Sequence, residues 1–280
     1  MVQYAMNIQK LSLIEHQNIL YEILYAVDDF CNKYNIHYFL AFGSLLGAVR
    51  HKGIIPWDDD IDIMMERTEY ERFQKLIYKH PIPGYTAYCI HKTSDYYYPF
   101  IKLGKDKTLL KEPFAYVPRN GIGINIDIFP MDGCPSYDIE QNRFYARAIR
   151  DMIWNSLHYW TCLSNNHFVG YKSKIFYIFY RLSFVKKWNL INCYNKSKQY
   201  KVKESEYICD CTWSFTPEKT VFLKKLFINT IFMKFGKRDL PVPAGYHDIL
   251  KSIYGDYMTP PPTDKRGTTH QHGGVFIIED

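Results

Sequence analysis

Gly43-Ser44-Leu45-Leu46-Gly47-Ala48-Val49-Arg50-His51-Lys52-Gly53-Ile54-Ile55-Pro56-Trp57-Asp58-Asp59-Asp60-Ile61-Asp62-Ile63 is the stretch whose reading organises the rest of the chain. From Asp58 to Asp62 four of five residues are aspartates. Carboxylates crowded in this way raise one another's pKa or recruit a cation. Residues 60–65 alternate acidic and apolar, which predicts a strand with Asp60 and Asp62 on one face and Ile61 and Ile63 turned to a core. Two carboxylates about 7 Å apart at their Cα atoms on rigid backbone suit a hard divalent ion.

Residues 121–129 repeat the pattern. Ile122, Ile124, Ile126 and Ile128 point one way, while Gly123, Asn125, Asp127 and Phe129 point the other. If the two strands are neighbours, Asp60, Asp62 and Asp127 converge, the arrangement that two-metal phosphoryl chemistry requires. Upstream, residues 37–42 read as a short strand and residues 45–51 as a brief helix. Gly43 and Ser44 lie in the turn between them, where backbone N–H groups and a hydroxyl approach a phosphate. Arg50, Lys52 and Lys102 are the nearby cations. Lys265, Arg266 and His270 follow Pro260, Pro261 and Pro262 and read as a lid contacting phosphate. Trp57 reads as a packing residue first and a stacking platform second. A calcium-binding helix–loop–helix starting at Asp58 fails, because its sixth place needs a sharp turn and holds β-branched Ile63. His51, His270 and His272 show no zinc spacing, and Cys209 and Cys211 read as two thiols of a strand.

The pattern around these motifs predicts an α+β fold, with a mixed β-sheet core flanked by helices and a largely helical middle region. Helices are expected over residues 11–34, 66–80, 138–164, 244–254 and, as one or two pieces, 172–203. Strands are expected at 85–91 and 97–103. Residues 221–235 suit a β-hairpin better than a basic helix, and the tail from Pro260 reads as loop. A catalytic core over 1–135, a helical accessory region over 136–220 and a return to the core over 221–280 follow. With 47% hydrophobic residues the chain buries a core, which excludes wholesale disorder. No run reaches the ~18 uncharged apolar residues of a membrane span. Lys10, Glu15, His16, Glu22, Asp28 and Asp29 interrupt the start, unlike a signal peptide. Seven cysteines without a C-x-x-C pair suggest reduced thiols and a cytoplasmic setting. The net charge of +6 is too small, and recognition motifs too absent, for nucleic acid to be a partner.

The run from Phe42 to Ile63 resembles the signature of the LicD family, relatives of fukutin within the nucleotidyltransferase-fold superfamily. Asn125-Ile126-Asp127-Ile128-Phe129-Pro130-Met131-Asp132-Gly133 resembles the segment carrying that family's third acid. Leu240-Pro241-Val242-Pro243, Tyr254-Gly255-Asp256-Tyr257-Met258 and Pro260-Pro261-Pro262 resemble its C-terminal signature. The resemblance implies a nucleotidyltransferase-like core and transfer of a phospho-alcohol, typically phosphocholine, from a CDP-linked donor to a sugar hydroxyl of a glycan or lipid-linked oligosaccharide, releasing CMP. It implies Mg²⁺ or Mn²⁺, two ions, with Asp60 and Asp62 as ligands. Asp127 would be the third ligand and the general base. CDP-glycerol and CDP-ribitol are the alternative donors. Tyr96, Tyr97 and Tyr98 are a candidate cage for a quaternary ammonium. The setting implied is cytoplasmic, at the inner face of a bacterial membrane. From another class, the basic aromatic stretches 172–187 and 221–234 suit a silent glycan-binding or membrane-surface module.

Overall fold

The computed structural model describes residues 7–94, 96–110, 121–135, 138–164, 183–212, 219–267 and 274–279. Ser12 starts the first helix with a capping box: the Glu15 N–H donates to the Ser12 hydroxyl, and the Ser12 N–H to the Glu15 carboxylate. This helix, α1 (Leu13–Tyr34), follows a short strand, β1 (Asn7–Lys10), and ends on Asn35 in the left-handed conformation. Leu20, Ile23, Leu24 and Val27 form its fully buried stripe.

The expected strand over 37–42 shrinks to β2 (Phe39–Leu40), because α2 (Phe42–His51) begins earlier than the sequence suggests. Gly43 and Ser44 therefore lie in the first turn of a helix rather than in a turn before one. The strand expected from residue 60 begins later, as β3 (Asp62–Glu66), and Asp60 belongs to the loop before it. Ile61 and Ile63 are fully buried, as the alternation requires. Helix α3 (Arg67–Lys79) follows directly, then β4 (Tyr85–Tyr88), β5 (Ile101–Lys105) and β6 (Thr108–Leu110). The long strand β7 (Asn125–Gly133) buries Ile126 and Ile128 completely.

The central sheet runs β2-β3-β7-β5-β4. β3 and β7 are parallel, while β2–β3, β4–β5 and β5–β7 are antiparallel, so the sheet is mixed. This is an α+β fold. On one face α1 and α3 lie together, with Phe30 meeting Phe73 edge-on at 5.5 Å between ring centroids.

After β7 come α4 (Ile139–Ser164) and α5 (Ser183–Ser197). Residues 165–182 lie outside the described residues, and with them the first part, 172–182, of the second helical region expected from sequence. Strands β8 (Tyr207–Cys209) and β9 (Val221–Leu223) extend the central sheet beyond β7. Cys209 and Cys211 are buried thiols with sulfurs 3.0 Å apart. Residues 221–235 contain β9, a short 3₁₀ turn and β10 (Thr230–Phe235), which forms a hairpin with β11 (Arg238–Pro243). Helix α6 (Tyr246–Tyr254) precedes the tail.

The tail is not all loop, contrary to the sequence expectation. β12 (Val275–Glu279) pairs antiparallel with both β1 and β6. Its Val-Phe-Ile-Ile run has strand propensity, but only the distant partners make it a strand. Among the described residues no helix is long and apolar enough to cross a membrane.

Candidate active site

The site is built where the loop before β3 meets the beginning of β7. Asp62 opens β3 and stands in register with Asp127 on the adjacent parallel strand. Its backbone is held on three sides: its N–H donates to the Ser44 hydroxyl at 2.9 Å, its carbonyl accepts from the Ala41 N–H at 3.0 Å, and the preceding Ile61 carbonyl accepts from the Asp127 N–H at 2.9 Å. Ser44, 5% exposed, thus spends its hydroxyl on positioning Asp62.

Asp58, Asp59 and Asp60 each offer a carboxylate oxygen, and the three oxygens lie within 4.8 Å of one another. The loop carrying them is fastened to α1. The Gln17 side-chain amide donates to the Asp58 carbonyl at 2.7 Å, and the Ile54 N–H donates to the Tyr21 hydroxyl at 2.8 Å. No local sequence signal marked Gln17 or Tyr21, because their role exists only once the loop folds back on α1. Gly43 is needed beside this loop: a Cβ there would lie 3.0 Å from the Asp58 Oδ2. Gly47 is stricter, since its Cβ would fall 2.4 Å from the Gly53 carbonyl oxygen.

The acids burden one another. Withdrawal from solvent pushes the Asp62 carboxyl well above its usual range, and Asp60, Asp127 and Asp58 push it further, with Lys102 opposing them. A cluster of hard oxygen donors whose charges are unfavourable together is the donor set that Mg²⁺ or Mn²⁺ takes, so these residues fit such an ion. Of the three acids singled out from sequence, Asp62 and Asp127 face each other across the strands. Asp60 joins them from the loop, grouped with Asp58 and Asp59.

Lys102 lies on β5, in register with Asp127. Its ammonium pairs with the Asp127 carboxylate at 2.7 Å and donates to the Asn125 side chain at 3.1 Å. The Tyr98 and Phe100 rings flank that ammonium at 5.0 and 5.5 Å. Tyr96, Tyr97 and Tyr98 are all buried, so the candidate choline cage is core, and Tyr98 already receives a cation from the protein itself.

A second group of cations forms beside the acid loop. Arg50 donates to the Tyr257 carbonyl at 2.8 Å and to the His51 ring at 2.9 Å. Arg266 lies over the Trp57 ring at 5.0 Å and donates to the Pro261 carbonyl at 2.8 Å. Partial burial lowers the Arg50 and His51 pKa values, and Arg266 lowers both further. Tyr254, from the end of α6, belongs to the same wall. Although 40% of it is exposed, close packing around its phenol and then the charges of Asp62, Asp58 and Asp60 hold it above its ordinary range. Lys52 is the left-handed C-cap of α2, its carbonyl accepting from the Gly236 N–H at 2.8 Å and its side chain exposed. His270 lies outside the described residues.

Residues 35–148, which carry these acids, match the family described as LicD/FKTN/FKRP, nucleotidyltransferase domain. The chain carries a LicD-family domain. The LicD domain contains the whole of the acid site, from Ser44 to Asp127, whereas Arg266 and Tyr254 come from beyond it. Outside the domain the likeness continues. The lipopolysaccharide cholinephosphotransferase LicD of Haemophilus influenzae is 29% identical over 269 residues, covering 94% of this chain and 97% of that protein. Uncharacterised proteins of Rickettsia prowazekii and Rickettsia typhi are 40% and 41% identical over 68 and 66 residues, about a quarter of each chain.

Proposed function

We propose that this protein transfers phosphocholine from CDP-choline to a sugar hydroxyl of a bacterial surface glycan, releasing CMP, at a site served by Mg²⁺ or Mn²⁺. The observation that carries this reading is the meeting of Asp58, Asp59 and Asp60 with the Asp62–Asp127 pair in a chain similar over nearly its full length to a lipopolysaccharide cholinephosphotransferase.

Asp58, Asp59, Asp60 and Asp62 would hold the divalent ions, with Asp127 within reach of the same space. Bound there, such ions supply charge neutralisation at the phosphate oxygens and acidify a hydroxyl. Asp127 takes the proton of the attacking sugar hydroxyl, a poor nucleophile at neutral pH. Lys102 holds the Asp127 carboxylate in one orientation, and neutralises part of the charge that the proton later replaces. Arg50 and Arg266 bind the phosphates of the donor and stabilise the charge that develops on departing CMP. Their mutual repulsion is relieved by an anion between them. The acceptor is a lipid-linked or nascent glycan, met at the cytoplasmic face of the inner membrane.

The test is CMP release from CDP-choline, CDP-glycerol and CDP-ribitol, with and without extracted lipopolysaccharide or glycan, in Mg²⁺ and in chelator. Release from CDP-choline that needs both metal and acceptor, and that disappears in Asp60→Asn and Asp127→Asn, is the expected result. Release from a polyol donor instead would reassign the donor while keeping the chemistry. No release from any donor, with no change in melting temperature on adding Mg²⁺, would overturn the catalytic reading in favour of a binding module.

A further inference from the structure

The hairpin of β10 and β11 carries the most concentrated apolar exposure among the described residues. Ile228 is 69% exposed, Phe232 67% and Ile231 36%, all within five residues. Ile228 caps the 3₁₀ turn that leads into β10, while Ile231 and Phe232 lie on β10 itself; single exposed apolar side chains are ordinary, but three within five residues are not. Strand alternation explains the display. Ile231, Met233 and Phe235 share the inner face, Phe235 being fully buried and Ile231 still exposed near the strand's start, while Thr230, Phe232 and Lys234 share the outer face.

The display is held rigidly. All six residues of β10 pair with β11, and Leu240 and Val242 are fully buried beneath. The Ala244 N–H donates to the Asn229 carbonyl at 2.8 Å, closing the end that carries Ile228. At the opposite end the Gly236 N–H donates to the Lys52 carbonyl at 2.8 Å.

The charge around this patch is predominantly positive. Residues 224–243 contain Lys224, Lys225, Lys234, Lys237 and Arg238 against one acid, Asp239, which stands in register with Lys234. Arg238 is neutralised by Asp28 and Asp29. Lys225, Lys234 and Lys237 are exposed around the apolar residues. A second copy laid on this face would set three exposed lysines against three, with one aspartate, Asp239, on each side to offset them. A surface with anionic headgroups over an apolar interior matches both features at once.

We propose that the β10–β11 hairpin is a docking surface for an anionic lipid bilayer, with Ile228 and Phe232 entering the interface and Lys225, Lys234 and Lys237 lying among the headgroups. Each lysine near such a surface strengthens binding roughly fivefold, and insertion of the phenylalanine contributes on the order of tenfold.

Sedimentation of the full chain with vesicles tests this, comparing phosphatidylcholine alone with a mixture rich in phosphatidylglycerol. The expected result is binding to the anionic vesicles only, weakened by salt. Phe232→Ser should lower affinity on the order of tenfold, and Lys225→Gln with Lys234→Gln roughly twenty-five-fold. Phe232→Trp should retain binding, with all variants melting as the parent does. The proposal is overturned if the parent stays in solution with both vesicles, or if it binds and the serine and glutamine variants bind equally well. It is also overturned if Phe232→Ser abolishes a concentration-dependent dimer while no vesicle binding occurs.

Discussion

The Asp62 N–H donates to the Ser44 hydroxyl at 2.9 Å, tying the first turn of α2 to the first residue of β3. The bond fixes the backbone that aims the Asp62 carboxylate along the parallel strand carrying Asp127. A Gly-Ser pair that resembles a phosphate cradle in sequence thus has a defined mechanical task.

Ser44→Ala should leave the Asp62 N–H buried without its acceptor, at about 1–3 kcal/mol of stability. Because Asp62 is positioned rather than replaced, turnover should fall roughly tenfold or more while the donor KM changes by less than about twofold. Chemical denaturation and steady-state CMP release check the two halves. A KM-only effect would make Ser44 a substrate contact instead.

Lys102 and Asp127 form an ion pair within a crowd of acids. Lys102→Met should lower the melting temperature in chelator, since the cation opposing Asp62, Asp60 and Asp58 is gone. The same variant should show a larger rise in melting temperature with Mg²⁺ than the parent, because an ion then supplies the missing charge. Thermal shift with and without metal is the measurement. An unchanged Mg²⁺ response would separate the Lys102–Asp127 pair from the ion site.

Asp132, five residues beyond Asp127 on β7, serves structure. Its two carboxylate oxygens each accept from Arg67 at 2.6 Å, and Arg67 also donates to the Tyr194 hydroxyl, joining α3, β7 and α5. Asp132→Asn should cost about 3–5 kcal/mol, because the Arg67 charge would remain buried without its counterion. Replacing both partners, Arg67→Met with Asp132→Leu, should cost markedly less. Urea unfolding of the two variants distinguishes a buried pair from a packing defect.

His91 is exposed on one side and packs its ring against Tyr194 on the other, with Lys198, Arg67 and Lys187 around it and Glu71 as the opposing charge. Burial first, and then those cations, holds its pKa below the ordinary 6.5. The unfolded chain therefore takes up this proton more readily than the folded one. The contribution is fully present above about pH 6.5 and is lost as pH falls below it. His91→Gln should flatten that acid limb, read as a smaller loss of urea midpoint between about pH 7.5 and pH 5.5 than the parent shows. An identical loss in both proteins would assign the acid limb to other groups.

Local pattern made several elements readable. The α1 stripe, the buried Ile61 and Ile63 and the alternation of β7 all follow from spacing, because helix and strand periods place side chains irrespective of distant partners. The crowding of four aspartates in five positions was legible for the same reason: like charges adjacent in sequence stay close wherever the chain goes. The ends of elements were less legible. The strand expected at residue 60 starts at Asp62, and α2 starts at Phe42, with φ of 43°, before the Gly-Ser pair. Propensity fixes such ends weakly, whereas the pairing of Ala41 with Asp62 decides them.

From its own residues, then, the chain determined the alternating strands and the acids they carry, since both depend on neighbours in sequence. Tertiary structure alone decided the company those acids keep. Asp127 meets Lys102 only because β5 and β7 are adjacent, and Arg266 reaches Trp57 only because the C-terminal segment returns to the acid loop. β12 becomes a strand by entering between β1 and β6. These relationships join residues far apart in the chain. They depend on which surfaces bury together and which backbone groups find partners, information that a local window of sequence does not contain.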